Sequence, residues 1–219
     1  MKRVAHIVGF ALAFPILFFT SRQSCGQGTF ETVHITFEGP PPQPAGTGQV
    51  VQEYYESGMS FTPIDPNAPW SGFTRSGGGI DFFPENGTAY LLAGLTDTLK
   101  FSFTNGVVFC MLSVDLAEFS TVVPDAVTVR FVGYRHDGTI VTNHVTTDGI
   151  IDGTGPLADF ETFYFSSPFT DLDRVEIPTY GWSLDNLVVS RNVPEPSTLA
   201  LFVGGCLLLT AVRYRTGRK

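Results

Sequence analysis

The sequence predicts an all-β fold, a two-sheet sandwich, for the central part of this 219-residue chain. Short segments rich in Phe, Val and Thr are bounded by Gly, Pro, Asn and Asp, and several of them alternate apolar with polar residues. No long segment of this region has the period of an amphipathic helix. Many short strands separated by turn residues are typical of β-sandwiches. We assign this domain to residues 27–192, which is enough chain to bury one hydrophobic core.

Eleven segments of the central region have strand-like composition: 32–37, 50–55, 80–83, 89–92, 98–103, 107–116, 127–134, 140–147, 160–165, 172–177 and 183–189. Alternation is clear in the fifth, where Leu99, Phe101 and Phe103 share one face of the strand and Lys100 and Ser102 lie on the other. Val127, Val129 and Phe131 share a face in the same way. These patterns predict strands with one buried and one exposed face.

Turn residues predict how the strands are connected. The sequence HDGT at 136–139 predicts a hairpin between 127–134 and 140–147. Residues 39–48 contain four prolines, which cannot donate to a central sheet, so they predict a loop. The three glycines at 77–79 predict another loop, and NGT at 86–88 predicts a turn.

The N-terminal segment, residues 1–26, has the layout of a secretory signal peptide. Met1-Lys2-Arg3 supplies positive charge, residues 8–19 form an apolar run, and the small residues Ser24 and Gly26 follow. The apolar run is short for a permanent anchor, so we predict a signal helix that is removed. Lipidation of Cys25 is the disfavoured alternative, because Arg22-Gln23-Ser24 does not match the Leu-and-small-residue pattern that such processing needs.

The C-terminal segment, residues 193–219, contains Pro194-Glu195-Pro196, an apolar run at 198–212 and a basic end. The two prolines keep a helix from running back into the domain and leave Glu195 on accessible, extended backbone. The apolar run predicts a transmembrane helix of about 22 Å at ~1.5 Å per residue, shorter than the ~30 Å hydrocarbon core. The basic end is expected to stay cytoplasmic. A plain membrane anchor with a chance linker is the alternative.

The order of these three elements resembles the PEP-CTERM sorting signal of exported proteins in Gram-negative bacteria that make extracellular polysaccharide. The resemblance covers about the last 27 residues. It implies an exosortase as processing enzyme, acting at or near Pro194, Glu195 and Pro196. It also implies that the chain is held in the inner membrane first and reaches the cell surface or the extracellular space after processing.

The central region carries a second resemblance. It opens with ITFEG at 35–39 and closes with WSLDNLVV at 182–189, with YYESGMSF at 54–61, FVGY at 131–134 and FETF at 160–163 between them. This order is similar to the jelly-roll domains that often precede PEP-CTERM tails, which are similar to galactose-binding-like carbohydrate modules. The resemblance implies a jelly-roll β-sandwich and a carbohydrate ligand.

Charge is distributed unevenly along the chain. Residues 27–193 contain six basic and 20 acidic residues, a net charge of −14. A domain that acidic repels phosphate backbones, so we expect no nucleic-acid partner. The three cysteines are Cys25, Cys110 and Cys206, and only Cys110 lies well inside the domain. It stands in an apolar run, so we expect a buried, inert thiol and no disulfide within the domain.

Glu38 and Asp185 are our candidate metal ligands. In carbohydrate modules of the resembled architecture, a structural calcium often joins the first and last strands, and these two residues lie beside those strands. Calcium prefers oxygen ligands, which carboxylates supply. The alternative is that Glu38 caps a loop and Asp185 makes an Asx-turn before Asn186.

Trp70, Tyr134, Tyr180 and Trp182 are the candidate aromatic platforms for a sugar, because they lie in or near predicted loops. The alternative is that these aromatic rings pack in the core or against a loop. For each residue taken singly, packing is the favoured interpretation.

The sequence contains none of the common catalytic motifs, and we expect no catalytic residues. Asp115 and Glu118 supply two carboxyl groups, which is what a glycosidase needs, but we interpret them as solvated residues at a strand end. We therefore expect a non-catalytic envelope or extracellular-matrix protein that binds extracellular polysaccharide. A purely structural surface protein and, less favoured, a secreted glycan-active enzyme are the alternatives.

Overall fold

A computed structural model of the chain describes residues 29–68, 72–94, 96, 98–120, 122, 125–151 and 159–193. This part is all-β and contains strands but no helix, as the sequence predicts. The described residues therefore include no helix that is long and apolar enough to cross a membrane. The predicted signal peptide, Pro194-Glu195-Pro196 and the apolar run at 198–212 lie outside the described residues.

Thirteen strands run through the described residues. They are β1 (Thr29–Ile35), β2 (Gly48–Val51), β3 (Tyr54–Glu56), β4 (Met59–Thr62), β5 (Phe73–Ser76), β6 (Tyr90–Ala93), β7 (Leu99–Phe103), β8 (Phe109–Glu118), β9 (Thr128–Arg135), β10 (Ile140–Thr146), β11 (Glu161–Tyr164), β12 (Leu172–Ile177) and β13 (Trp182–Val193). The sequence patterns missed β4 and β5.

The predicted strand at 80–83 is wrong. The Phe83 N–H donates to the Ile80 carbonyl at 3.2 Å, and Phe82 has a left-handed backbone conformation with a φ of 73°. These residues form a turn, and Phe83 packs its ring against Phe119 from that turn. The apolar residues at 80–83 therefore include one that packs onto a sheet, although the segment is not itself a strand of that sheet.

The strands form one hydrogen-bonded network with the order β2-β5-β6-β13-β8-β12-β7-β4-β3. The pairing between β8 and β12 is a single register pair, Phe109 with Leu172. This junction divides the network into two sheets that fold over each other. Sheet I contains β2, β5, β6, β13 and β8, with β1 on β13 and β11 on β8; sheet II has the order β10-β9-β12-β7-β4-β3.

The hydrophobic core lies between the two sheets. Sheet I contributes Leu91, Leu116 and Leu184, and sheet II contributes residues of the predicted alternating faces, such as Phe101 and Phe131. All five are fully buried. Burying a side chain of this size stabilises a fold by about 1.5–3 kcal/mol. The predicted alternation of β7 and β9 is therefore confirmed.

The predicted hairpin between β9 and β10 is also present, with Ile140 opposite Tyr134 and Thr146 opposite Thr128. At the other end of the chain, β1 runs antiparallel to β13, and its first residue, Thr29, lies opposite Val193. The first and last described residues are therefore neighbours across one sheet.

The two sheets differ in what covers their outer faces. On sheet I, a second cluster of Tyr90, Leu92, Ala117 and Phe160 is buried beneath the segments around Phe83 and Phe119. Among the described residues, no corresponding hydrophobic cluster lies on the outer face of sheet II. That face is open to solvent.

The expectation of a free thiol at Cys110 is wrong. The residue is buried on β8, as predicted, but it is disulfide-bonded.

Candidate functional site

The open face of sheet II carries a polar groove across β4, β7 and β12. The groove has a volume of about 350 Å³ and is lined by Ser60, Thr62, Lys100, Phe101, Ser102, Arg174 and Glu176. A larger groove of about 470 Å³ lies beside β1, but it is on sheet I and is lined mainly by residues of β1.

Strand register explains why these side chains meet. Ser60 lies opposite Ser102, and Lys100 lies opposite both Thr62 on β4 and Glu176 on β12. Residues directly opposite each other in antiparallel strands share a face. Their sequence neighbours, such as Phe61 and Phe101, point into the core instead, which holds the polar face in place.

A fixed stack borders the groove on the β9 side. The Arg174 guanidinium lies 3.6 Å from the centroid of the Tyr134 ring, and its Nε donates to Glu176 Oε1 at 3.0 Å. The Tyr134 hydroxyl donates to Glu176 Oε2 at 2.7 Å. This hydrogen bond to a carboxylate raises the pKa of Tyr134. The three side chains therefore constrain one another, and little ordering is left for a ligand to impose.

Lys100 occupies the floor of the groove with fewer constraints. Its Nζ lies 3.5 Å from the Ile64 carbonyl, a long contact that leaves the ammonium available to a ligand.

The four predicted aromatic platforms do not lie together in one place. Tyr134 is at the groove, and Tyr180 is 54% exposed in the loop between β12 and β13. Trp182 is fully buried and donates its indole N–H to the Thr179 carbonyl at 2.8 Å, which agrees with the core interpretation. Trp70 lies outside the described residues.

Glu38 and Asp185, the predicted calcium ligands, both contact the segment 86–89. Asp185 Oδ2 accepts hydrogen bonds from the Asn86 amide and from Thr88 Oγ1 at 2.9 Å, and its Oδ1 accepts from the Asn186 N–H at 2.7 Å. Glu38 Oε1 accepts from the Ala89 N–H. These partners are hydrogen-bond donors, so a calcium ion bound by Asp185 would have to displace them.

Asp185 is fully buried on β13, opposite Asp115 on β8. Burial raises the pKa of Asp185 to about 7, although its hydrogen bonds to Asn186, Thr88 and Asn86 oppose that rise. The segment 86–89 is thus attached to the sheet by a carboxyl whose charge is costly to bury.

The interpretation of Asp115 and Glu118 as solvated residues is wrong. Both are buried, with exposed fractions of 8% and 1%. They point to opposite faces of β8 because they are three residues apart in a strand. Asp115 accepts from Thr162 Oγ1 at 2.6 Å and from the Asn186 amide at 2.9 Å. The two carboxylates therefore do not form a facing catalytic pair.

Glu118 instead belongs to a cluster that sequence reasoning missed. One carboxylate oxygen each of Glu118, Asp148 and Glu161 lies within 4.8 Å of the other two. The β8–β11 pairing brings Glu161 to this end of β8, and Asp148 follows β10. Only knowledge of that pairing could have joined residues so distant in sequence.

Backbone N–H groups already bind this cluster. Gly149 donates to Glu118 Oε1, Asp148 to Glu161 Oε1 and Ile150 to Asp148 Oδ1, each at 2.8 Å. Burial raises the pKa of Glu161, and the charges of Asp148 and Glu118 add to that rise. Carboxylate oxygens are the donors that calcium prefers, but the same residues also account for the shape of the loop after β10.

No protein-family model and no curated protein matches this chain.

Proposed function

We propose that this chain is an exported envelope or extracellular-matrix protein whose jelly-roll domain binds extracellular polysaccharide without cleaving it. The observation that carries the proposal is the polar groove on the uncovered face of sheet II. The exported state and the jelly-roll topology rest on the resemblances described above.

The lining of the groove suits a sugar chain. Ser60, Thr62 and Ser102 supply hydroxyls that both donate and accept hydrogen bonds, and Lys100 and Arg174 supply charged donors. Strands lie about 4.8 Å apart, so a groove across three of them is roughly 10 Å wide. Convergent polar groups of this kind orient small ligands and sugar rings.

The charges of the groove favour binding over glycoside cleavage. Cleavage needs two carboxyl groups about 5–9.5 Å apart, one on each side of the scissile bond. The described residues that line the groove include one carboxylate, Glu176, and it is bound by Arg174 and Tyr134. This supports a non-catalytic domain.

The tail completes the proposal. An exosortase-type enzyme would process the chain at or near Pro194, Glu195 and Pro196, after the inner membrane has held it. The chain would then reach the cell surface or the extracellular space. A structural calcium at Glu38 and Asp185 stays a prediction, with no further cofactor proposed.

Filling the groove tests the proposal directly. The full chain, in a nonionic detergent, should be retarded in gels that contain a bacterial or plant polysaccharide. Ser60→Trp places a large ring in the groove without changing charge, so it should abolish the retardation. Val50→Trp is the matched control, because Val50 is 70% exposed on β2 of the other sheet. Equal retardation of both variants would refute the assignment of this groove, and a chain that is retarded by no polysaccharide would favour the purely structural alternative.

A further inference from the structure

We propose that the ligand of the groove is an acidic polysaccharide, one that carries carboxylate or sulfate groups along its length. This inference rests on the proposed function and names the class of glycan. It is carried by the position of the basic residues in a domain that is otherwise strongly acidic.

Three of the six basic residues of the domain are committed elsewhere. Arg75 is buried and donates to the carbonyls of residues 37, 39 and 41. Arg135 lies 3.6 Å from Asp171 and 3.9 Å from Asp137, and Arg191 lies 2.7 Å from Glu31. None of these three adds an uncompensated charge to the surface.

The other three, Lys100, Arg130 and Arg174, all lie on the outer face of sheet II, on β7, β9 and β12. Within the described residues, neither Lys100 nor Arg130 has a carboxylate oxygen within 4.0 Å. Arg174 pairs with Glu176 through Nε alone, and its terminal nitrogens meet no second carboxylate.

Acidic residues are fewer than basic ones on the same face. Among the described strand residues whose side chains point outward from sheet II, Glu176 is acidic, and it is shared by Arg174 and Tyr134. Asp173 lies at the irregularity of β12 and contacts His136 at the hairpin end, 2.9 Å away. With Asp173, which is exposed on β12 beside Arg174, three cations and two anions give the face a net charge of +1.

Local charge decides what this face binds. At physiological salt the Debye length is about 8 Å, so a polysaccharide in the groove is screened from the distant acidic residues that make the domain negative. The same screening favours ligands with widely spaced charges. Duplex DNA, with one charge per ~1.7 Å, would bring many phosphates against the acidic remainder of the domain.

The spacing of the cations favours a polymer over a single anion. Lys100 and Arg174 lie on neighbouring strands, and Arg130 lies on the next strand, two residues along from the position opposite Glu176. At about 4.8 Å between strands and ~3.3 Å per residue, the three charges spread over more than one sugar ring. A chain with repeated anionic groups can contact all three.

Affinity electrophoresis of the full chain tests this inference. The gels contain polygalacturonate, dextran sulfate or neutral dextran, which separate carboxylate, sulfate and uncharged ligands. We expect retardation by one or both acidic polymers, weakened by added salt. Lys100→Gln and Arg130→Gln should each weaken binding about two- to fivefold. Arg191→Gln removes the same charge from sheet I and should leave binding unchanged; thermal melts of all three variants verify folding.

The outcomes separate this inference from the function it rests on. Equal retardation by neutral dextran, insensitive to Lys100→Gln, would overturn the acidic ligand and keep polysaccharide binding. Absence of retardation by every polymer would overturn both. Self-association in sedimentation experiments that Lys100→Gln and Arg130→Gln abolish would assign the face to a second, acidic copy of the chain and overturn the inference.

Discussion

Arg75 shows how a buried charge can hold a loop in place. Its Nε, Nη2 and Nη1 donate to the carbonyls of Phe37, Gly39 and Pro41 at 2.7, 2.6 and 2.5 Å, respectively, and its guanidinium lies 4.8 Å from the Tyr54 ring centroid. One side chain therefore satisfies three carbonyls of a segment that cannot pair as a strand, because prolines interrupt it.

Replacing Arg75 should be costly. Arg75→Met keeps most of the side-chain volume but leaves these carbonyls without donors, and each unsatisfied buried carbonyl costs about 1–3 kcal/mol. We expect the free energy of unfolding to fall by roughly 2–4 kcal/mol, since some carbonyls will regain water. Urea denaturation measures it. The control is Arg130→Met, an exposed residue whose replacement should change stability by less than about 0.5 kcal/mol; similar losses in both would contradict this role.

Asp185 predicts a pH dependence of stability. Its pKa is raised to about 7 in the folded chain from an ordinary value of 3.8. Between these values the folded chain keeps a proton that the unfolded chain has lost, so stability falls as pH rises and the loss is complete above about pH 7. A difference of one pKa unit between the folded and the unfolded chain corresponds to about 1.4 kcal/mol, so the full loss of stability is on the order of 4 kcal/mol.

Thermal melts between pH 4 and pH 8 measure this effect. Asp185→Asn cannot ionise and should flatten the decline. Asp137→Asn, on the exposed hairpin, is the control and should leave the decline as it is. A wild-type curve that is flat over this range would show that Asp185 ionises without cost.

The residues just after the C-terminal end of β5 contact the proline-rich loop through backbone hydrogen bonds. The Gly77 N–H donates to the Thr47 carbonyl at 2.9 Å, and the Gly46 N–H donates to the Gly78 carbonyl at 2.7 Å. A Cβ on Gly77 would lie 2.1 Å from the Pro44 carbonyl oxygen. The glycine is required because backbone, not a movable side chain, fills that space.

Gly77→Ala should therefore separate the loop from β5. We expect the unfolding midpoint in urea to fall, with a loss of about 1–3 kcal/mol or more from overpacking. Gly48→Ala is the matched control, since its Cβ would meet only side-chain methyl groups, of Thr74 at 3.2 Å and of Ile80 at 3.7 Å. Equal effects of the two substitutions would argue against the backbone contact as the cause.

The strands also show which elements the sequence could predict. Strands with clear alternation, such as β7 and β9, were predicted because each buries one face. β4 and β5 were missed because they have four residues each and stand beside turn residues, which leaves little pattern to detect. The turn at 80–83 was mistaken for a strand because its composition is apolar, but Phe83 packs onto sheet I from the turn and Phe82 is 66% exposed.

The candidate site was less predictable than the strands. Tyr134 was proposed from sequence, but Lys100, Arg130 and Arg174 become one basic face only through strand register. Asp115 and Glu118 were placed in solvent because sequence spacing does not reveal that Thr162 and Asn186 contact Asp115 and that the loop at Gly149 contacts Glu118. Long-range pairing is the information that a single sequence lacks.

For the molecule as a whole, Pro194, Glu195 and Pro196 are expected to matter for maturation and not for folding. Replacing Pro194, Glu195 and Pro196 together by alanine should leave the melting temperature unchanged and prevent maturation. Intact-mass measurement of the protein from its native cells reports both terminal cleavages. Normal mass and normal location in the triple variant would refute the sorting proposal.

Calcium provides a second whole-molecule test. Removing divalent ions should lower the melting temperature if a structural ion is bound, because a ligand of the native state alone adds stability. Glu38→Gln should abolish that response if the predicted pair holds the ion, and Glu161→Gln should abolish it if the cluster at the end of β8 does. A melt unaffected by chelator would exclude a stabilising ion at either place.

The pairing of Thr29 with Val193 has a practical consequence for handling this protein. Antiparallel partners have Cα atoms about 4.5–5.5 Å apart, so a label joined to either flank of the domain emerges at the same corner of it. Two fluorescent tags, one per flank, would report proximity whatever the ligand. A probe meant to leave that corner free belongs in the tight turn around Gly138, where no other atom lies within 4 Å of the position an added Cβ would take.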